Sequence, residues 1–435
     1  MTHVVFFIFA IVAFVILGLL VFLVLFEPGL KYEVEAPPYP LDSNEFLRLL
    51  GALADAQIHD QSKISVLTNG DQYFPAELEA IKNAQHCITI EAYIFYEGEI
   101  SKMFLDALTE RARAGVQVKM VIDSIGSFST KNRYFDELCA AGGRVEWYQP
   151  ITWWNFKRFN NRTHREVIVI DGKVGFTGGS GIADVWWKGG DGDGKGGEPR
   201  WRETMVRVEG DLVMGLQTTF AENWLEASGE VLVGHDYFPA GDIEQEDVPE
   251  HGTAGLCVIS SPQAGRSTRA RVLYQVLLAS ANKEILITSP YFLPDESARQ
   301  EMIRAVQRGV SVRIITPGDH ADHLLTRRSS RSRYGDLLKG GVRISEYQPA
   351  MIHAKILLID GIWSVVGSTN FDNRSFGIND EVNLAARDAQ LAARLEEDFA
   401  RDWAHSKPVT LEEWERRPMS ERVVEMLGKV IERQQ

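Results

Sequence analysis

Met351-Ile-His-Ala-Lys-Ile-Leu-Leu-Ile-Asp-Gly-Ile-Trp-Ser-Val-Val-Gly-Ser-Thr-Asn370 lies near the C-terminal end of the 435-residue chain. Its continuous apolar run, Ile356 to Ile359, predicts a buried strand. Asp360-Gly361 is a two-residue hairpin signal, Trp363 to Val366 is the return strand, and Gly367-Ser368 ends it. Side chains alternate faces along a strand, so His353 and Lys355 share a face and Ala354 points the other way. A titratable imidazole therefore stands beside a fixed cation, and the hairpin brings a small Gly-Ser-Thr-Asn loop near both. Neutral imidazole is a nucleophile or base, an ammonium binds phosphate, and small residues let backbone N–H groups approach an anion.

The layout recurs upstream in Thr163-His-Arg-Glu-Val-Ile-Val-Ile-Asp-Gly-Lys-Val-Gly-Phe-Thr-Gly-Gly-Ser-Gly181. His164 and Asp171 are spaced as His353 and Asp360 are. Arg133-Tyr134 and Tyr148-Gln149-Pro150 are mirrored by Arg333-Tyr334 and Tyr347-Gln348-Pro349, and Gly115 to Lys119 by Gly309 to Arg313. Two similar halves with one motif each indicate an internally duplicated fold. Strands alternating with helical stretches predict an α/β architecture in which each half is a β-sheet flanked by helices.

His-x-Lys, four residues, Asp, six residues, Gly-Ser-x-Asn resembles the signature of the phospholipase D superfamily, and the resemblance covers about residues 60 to 410. It implies two halves packed with pseudo-two-fold symmetry, so that His164 and His353 flank one phosphorus. Within the family one histidine forms a phosphohistidine; by resemblance His164 is the nucleophile and His353 the acid/base. Lys355 completes the catalytic set. Ser368, Asn370, Arg374 and Arg162 are the expected phosphate ligands. Asp171, Asp360, Glu166, Glu203 and Glu381 are expected in support, with Glu203 and Glu381 orienting the imidazoles. Histidine chemistry of this kind requires no metal or cofactor. The first motif departs from the pattern twice, with Glu166 where Lys is expected and Gly181 where Asn is expected. On sequence alone, Glu166→Lys is expected to be tolerated or activating.

The implied organisation is an anchor over 1–30, a linker with a short helix over 31–70, a first domain over 71–238, a connection over 239–265, a second domain over 266–410 and an amphipathic tail over 411–435. Val4 to Phe26 carries no charge and would extend about 34 Å as a helix, enough to span a bilayer. It lacks the basic start and small-residue end of a cleaved signal, so it reads as a retained single-pass transmembrane helix. Lys31 and Arg48 follow it, which by the positive-inside rule puts the catalytic region in the cytoplasm.

The formal net charge of −14 argues against nucleic acid as a partner. Cys87, Cys139 and Cys257 form no metal or disulfide pattern and read as buried apolar residues. Trp153 to Arg162 is an insertion without a counterpart in the second half. The Gly-Asp repeats of Gly189 to Gly197 read as a mobile loop, because the later ligands of a calcium loop are missing. Arg327, Arg328, Arg331 and Arg333 are either a solvated face or a landing patch for anionic headgroups.

The resemblance is closest to the cardiolipin synthase type. It implies transfer of a phosphatidyl group between two phosphatidylglycerols at a membrane, with release of glycerol. The alternatives are a phospholipid hydrolase, a nuclease or other phosphodiesterase, and a non-catalytic anionic-lipid-binding protein.

Overall fold

Both Asp-Gly pairs form the turns expected of them. Asp171 and Gly172 have φ of 52° and 63°, Asp360 and Gly361 of 55° and 67°. Positive φ at both central residues is the type I′ condition that matches the twist of paired strands. The aspartates have a second task. Asp171 accepts the backbone N–H groups of Gln85, His86 and Cys87 at 2.7–2.8 Å. Asp360 accepts those of Asn282, Lys283 and Glu284 at 2.8 Å. Each motif aspartate thus pins its hairpin to the start of a neighbouring strand and is structural.

In this computed structural model the described residues are 6–7, 11–19, 31–150, 160–189, 199–239, 252–261, 269–322 and 324–418. The strands are β1 (Ile58–Thr68), β2 (Cys87–Ala92), β3 (Gln117–Asp123), β4 (Arg144–Tyr148), β5 (Val167–Ile170), β6 (Val174–Gly178), β7 (Thr204–Gly210), β8 (Thr253–Ser260), β9 (Glu284–Thr288), β10 (Ser311–Pro317), β11 (Arg343–Tyr347), β12 (Ile356–Ile359), β13 (Trp363–Gly367), β14 (Glu381–Arg387) and β15 (Ser406–Pro408). They form one 15-stranded sheet, in the order β15-β11-β10-β9-β12-β13-β14-β8-β1-β7-β6-β5-β2-β3-β4. The order outward from β1 in the first half repeats outward from β8 in the second, and β15 is added at the far edge. β1 and β8 join the halves as an antiparallel pair.

Two separate sheets were the expectation; a shared sheet is the finding. β8 lies inside 239–265, the stretch read as a connection. Its apolar Leu256-Cys257-Val258-Ile259 follows an acidic, turn-rich stretch, which hid a strand that pairs only across the junction. β14 was missed for a related reason: its Glu381 and Asn383 are polar yet fully buried.

The motif strands β5 and β12 are continuous apolar runs because both of their faces are covered. In β5, Ile168 and Ile170 pack beneath the helices Gly70–Asn83 and Glu99–Arg113, while Val167 and Val169 pack with Val213 and Leu216 of the helix Val213–Ser228. β12 repeats this, with Leu357 and Ile359 on one side and Ile356 and Leu358 on the other. That last core runs across both halves and takes in Leu391, Leu395 and Phe399 of the helix Ala389–Ala404.

Most of the apolar stretch Val4 to Phe26 lies outside the described residues; 11–19 are helical, with exposed side chains such as Phe14 at 78%. Among the described residues no helix is long and apolar enough to cross a membrane. Most of the Gly-Asp repeats, of the Trp153 insertion, of the acidic junction and of the amphipathic tail also lies outside them; of the tail, 411–418 are described and include the short helix Leu411–Glu415. Cys87 and Cys257 are buried, but Cys139 is exposed, on the outer side of the short helix Asp136–Ala140.

Candidate active site

The backbone brings the two motifs to one seam. The residues before each histidine form a short parallel bridge with the opposite half, Thr163 with Asp380 and Ile352 with Arg202. His164 N–H donates to Asp380 O (2.9 Å), and His353 N–H donates to Arg202 O (2.7 Å). Asp380 and Arg202 immediately precede Glu381 and Glu203, so each bridge delivers a carboxylate from one half to the imidazole of the other.

The side chains follow this crossing. Glu203 Oε2 lies 2.8 Å from His353 Nδ1, and Glu381 Oε2 lies 3.1 Å from His164 Nδ1. Both carboxylates are fully buried. Each ring therefore carries its proton on Nδ1 toward the carboxylate and leaves Nε2 for chemistry. Ser368 O also lies 3.0 Å from His164 Nδ1. Lys355 Nζ donates to the carbonyl of His353 (2.8 Å) and stands within 3.0 Å of both ring nitrogens.

One buried ammonium holds the electrostatics together. Burial lowers the Lys355 pKa, and Glu203, Glu381 and Glu166 raise it in that order. A single cation thus feels both orienting carboxylates. Burial pushes Glu203 up, but Lys355 and the His353 hydrogen bond outweigh it and hold the carboxyl below its ordinary value. His353 is held below the ordinary histidine value, by burial first and by Lys355 second, against Glu203. That shift favours the neutral ring.

The expected phosphate ligands fare unevenly. Ser368 Oγ donates to Glu381 and its N–H to Val382 O (2.9 Å), so it supports the carboxylate. Asn370 is buried with an unpartnered Oδ1, and Glu381 Oε1 is likewise unpartnered. Arg374 reaches Asn160, with 3.0 Å bonds to Oδ1 and O. Arg162 is sealed in, donating to Gln149 O (2.8 Å), Tyr148 O (3.3 Å) and Asn161 O (2.7 Å) beside Asp123 at 3.4 Å. Its guanidinium is part of the framework and does not face the cleft as the sequence suggested. Glu166 lies beside Lys355 but turns toward the backbone after β2, accepting from Tyr93 N–H (3.2 Å) and from Ile94 N–H.

Sequence reasoning missed the aromatic walls. The Tyr93 ring meets His164 edge-on at 5.1 Å, Tyr291 meets His353 at 6.3 Å, and Trp186 and Trp201 each lie 5.4 Å from His353. Tyr93 and Tyr291 stand just beyond the equivalent strands β2 and β9, so extending the internal repeat to those strand ends would have found them. Among the described residues no cluster of His, Cys, Asp and Glu is arranged to hold a metal ion.

The two-part match to known sequences coincides with these halves. The profile described as "Cardiolipin synthase, PLD-like domain" matches residues 78–187 and 274–403. The chain belongs to the phospholipase D-like family of the cardiolipin synthase type. It is similar to the cardiolipin synthase of Geobacillus kaustophilus, with 31% identity over 93% of this chain and 79% of that protein. Cardiolipin synthase 1 of Staphylococcus epidermidis is 35% identical over 89% of this chain and 77% of its own length. The fold is also that of the phosphatidylserine synthase of Haemophilus influenzae, at a TM-score of 0.68, with 15% identity, 90% of this chain covered and 100% of that one. Glu166 and Gly181 are the two departures from the motif pattern given above.

Proposed function

We propose that this chain is a membrane-anchored phosphatidyltransferase that joins two phosphatidylglycerols and releases glycerol. The observation that carries the reading is the pair of crossed histidine–carboxylate contacts around one buried lysine. His164 Nε2 attacks the phosphorus of the first lipid, and the bond from phosphorus to the glycerol headgroup oxygen breaks. His353 gives a proton to that oxygen, and glycerol leaves. The phosphatidyl group now sits on His164. Neutral His353 then takes the proton from a primary hydroxyl of the second lipid, whose oxygen attacks phosphorus and frees His164.

The arriving phosphodiester supplies the charge that allows this. An anion beside His353 offsets Lys355 and raises the ring's affinity for the proton it must donate. Lys355 answers the charge on the non-bridging oxygens. The lipid-soluble stretch Val4 to Phe26 spans the bilayer and keeps the cleft at the headgroup level, with the catalytic region on the cytoplasmic side. Exposed Phe6, Phe7 and Phe14 support a lipid-facing segment.

The test is product analysis. The purified full chain in phosphatidylglycerol vesicles should yield cardiolipin and glycerol. Phosphatidic acid as the main product would make it a hydrolase, and no turnover of any phosphodiester would make it a lipid-binding protein.

A further inference from the structure

The neighbours of His353 grade from buried to open in one direction. Glu203 and Trp186 are fully buried, and Lys355 nearly so. Trp201 and Tyr291, whose rings also meet His353, are half-buried. The Tyr291 hydroxyl donates to Asp322 Oδ2 at 2.5 Å, and Asp322 is exposed. The way from His353 to solvent thus runs past Tyr291, and a carboxylate stands at its outer end. Tyr291 is itself fixed. Ser289 Oγ donates to Tyr291 O (2.8 Å) and accepts the N–H of Phe371 (3.1 Å), next to Asn370. The ring between Asp322 and His353 is therefore held by the second motif's own loop.

Asp322 lies on a loop that is longer than its counterpart in the first half. Ser124 N–H donates to Tyr148 O (3.2 Å) and Gly318 N–H to Tyr347 O (2.9 Å), which makes these two positions equivalent. The repeated Arg-Tyr pair closes both stretches. Ser124 to Arg133 is ten residues, whereas Gly318 to Arg333 is sixteen. Arg327 ties the longer loop down, pairing with Asp319 at 2.9 Å and with Glu346 of β11 at 3.3 Å. The Tyr93 hydroxyl, the counterpart beside His164, has no carboxylate hydrogen bond among the described residues. The halves thus differ at the mouth of the site, with a carboxylate attending the His353 side.

Chemistry gives that side a ligand. His353 hands a proton to the departing headgroup oxygen and takes one from the incoming hydroxyl, so both alcohols pass on its side of phosphorus. A carboxylate there repels a phosphate and accepts O–H donors. It has about four acceptor sites, so its bond to Tyr291 does not exhaust it. Its charge reaches the catalytic pair as well. Burial lowers both His353 and Lys355, and Asp322 is among the groups that oppose this at each. A glycerol whose primary oxygen sits at His353 still has hydroxyl groups to offer toward the carboxylate.

We propose that Asp322 binds the free hydroxyls of the glycerol headgroup and so selects a polyol over a plain alcohol, as leaving group and as acceptor alike. This rests on the transferase reading and on His353 as the acid/base. The bonds made and broken are those of that reading. The acceptor oxygen bonds to phosphorus, the bond from phosphorus to His164 breaks, and the acceptor's proton goes to His353. Asp322 decides which alcohol is in place when this happens.

The experiment offers labelled glycerol and 1-propanol, at equal concentration, to the full chain in phosphatidylglycerol vesicles. Labelled phosphatidylglycerol and phosphatidylpropanol are then measured. Wild type should favour glycerol. Asp322→Asn should cut that ratio about tenfold, because a hydrogen bond to a charged acceptor gives way to one with a neutral acceptor, with the melting temperature kept. An unchanged ratio overturns the proposal, as does a wild type without preference. Should Asp322→Asn give neither product, Tyr291→Phe decides it. Removing only the hydroxyl that holds Asp322 should lower the ratio several-fold, and no change refutes. Ethanolamine is the parallel arm. If wild type prefers it to glycerol and Asp322→Asn removes that preference, the carboxylate reads an amine and the polyol assignment is wrong. Phosphatidic acid from wild type, with no alcohol adduct, sinks the transferase reading instead. Phosphatidylglycerol and phosphatidylpropanol then compete as substrates for hydrolysis, and their ratio in wild type and Asp322→Asn still reports on the headgroup site.

Discussion

Glu203→Gln isolates the crossed support of the second histidine. The carboxylate is fully buried; Oε2 lies 2.8 Å from His353 Nδ1, and Oε1 accepts Thr204 N–H at 2.8 Å. Glutamine keeps the volume and one acceptor but removes the charge. Loss of such an orienting partner costs about 10–100-fold in activity, or about 1.4–2.7 kcal/mol of transition-state stabilisation. The charge also enters the pH profile. Glu203 raises the His353 pKa, against burial and Lys355, so removing it lowers that pKa further. If protonated His353 expels glycerol, the alkaline limb of kcat/KM moves to lower pH. Breaking a buried ion pair costs about 3–5 kcal/mol of stability at most, and Glu381 still acts on Lys355. The melting temperature should therefore fall without loss of the fold. The assay is cardiolipin formation from pH 5 to 9 with wild type and variant. A loss under about threefold with an unmoved alkaline limb would refute both the crossed support and the acid role of His353.

Three further outcomes are expected. His164→Ala and His353→Ala should each lower turnover by at least about 10²-fold while melting like wild type, and full activity in either would defeat the two-histidine mechanism. Gly179→Ala should cripple the site with little effect on folding elsewhere: its Cβ would stand 2.7 Å from Glu203 Oε2 and 2.8 Å from Lys355 Nζ, and wild-type kcat would show that those two side chains tolerate displacement. Glu91 is pushed up to about 7, by burial first, from its ordinary 4.5. The folded chain then holds a proton that the unfolded chain releases, so this group's contribution to stability falls as pH rises from about 4.5 to 7. Urea midpoints at pH 5 and 8 should drop more in wild type than in Glu91→Gln, and equal drops would contradict this.

The duplicated motif carried most of what the sequence could tell. Both hairpins, the helices covering them and the residues that orient the imidazoles follow from local periodicity and spacing. The crossing of the carboxylates does not. Glu203 and Glu381 were legible as supports, but a repeat read in chain order pairs each with its own half, and the bridges Thr163–Asp380 and Ile352–Arg202 between the halves exchange them. Arg162 misled for a similar reason: a cation beside a catalytic histidine looks like a phosphate ligand until the carbonyls of Gln149 and Tyr148 enclose it. β8 and β14 were illegible because their partners lie in the other half or because their buried polar residues break the apolar pattern.

Glu166 shows how far local pattern and three-dimensional setting can diverge. The family pattern treats it as a missing lysine to be restored. In the fold Glu166 is 6% exposed and its carboxyl accepts the N–H groups of Tyr93 and Ile94, on the loop that carries the Tyr93 ring against His164. Gly181, the second departure, belongs to the same arrangement, since a Cβ there would stand 2.6 Å from Ile94 O. Burial drives the Glu166 pKa well above the usual carboxylate range, which favours the neutral form and lessens its repulsion of a phosphate. Glu166→Lys would place a second buried cation near Lys355 and leave those N–H groups without an acceptor, at about 1–3 kcal/mol each. The expected outcome is a lower melting temperature and weaker cardiolipin formation, the reverse of the expectation from sequence. Glu166→Gln keeps a neutral acceptor and should stay within about threefold of wild type. If Glu166→Lys instead matches or exceeds wild type, the carboxyl anchors nothing and the absent cation was the defect; if Glu166→Gln is inactive, the ionised form has a role that its burial here argues against.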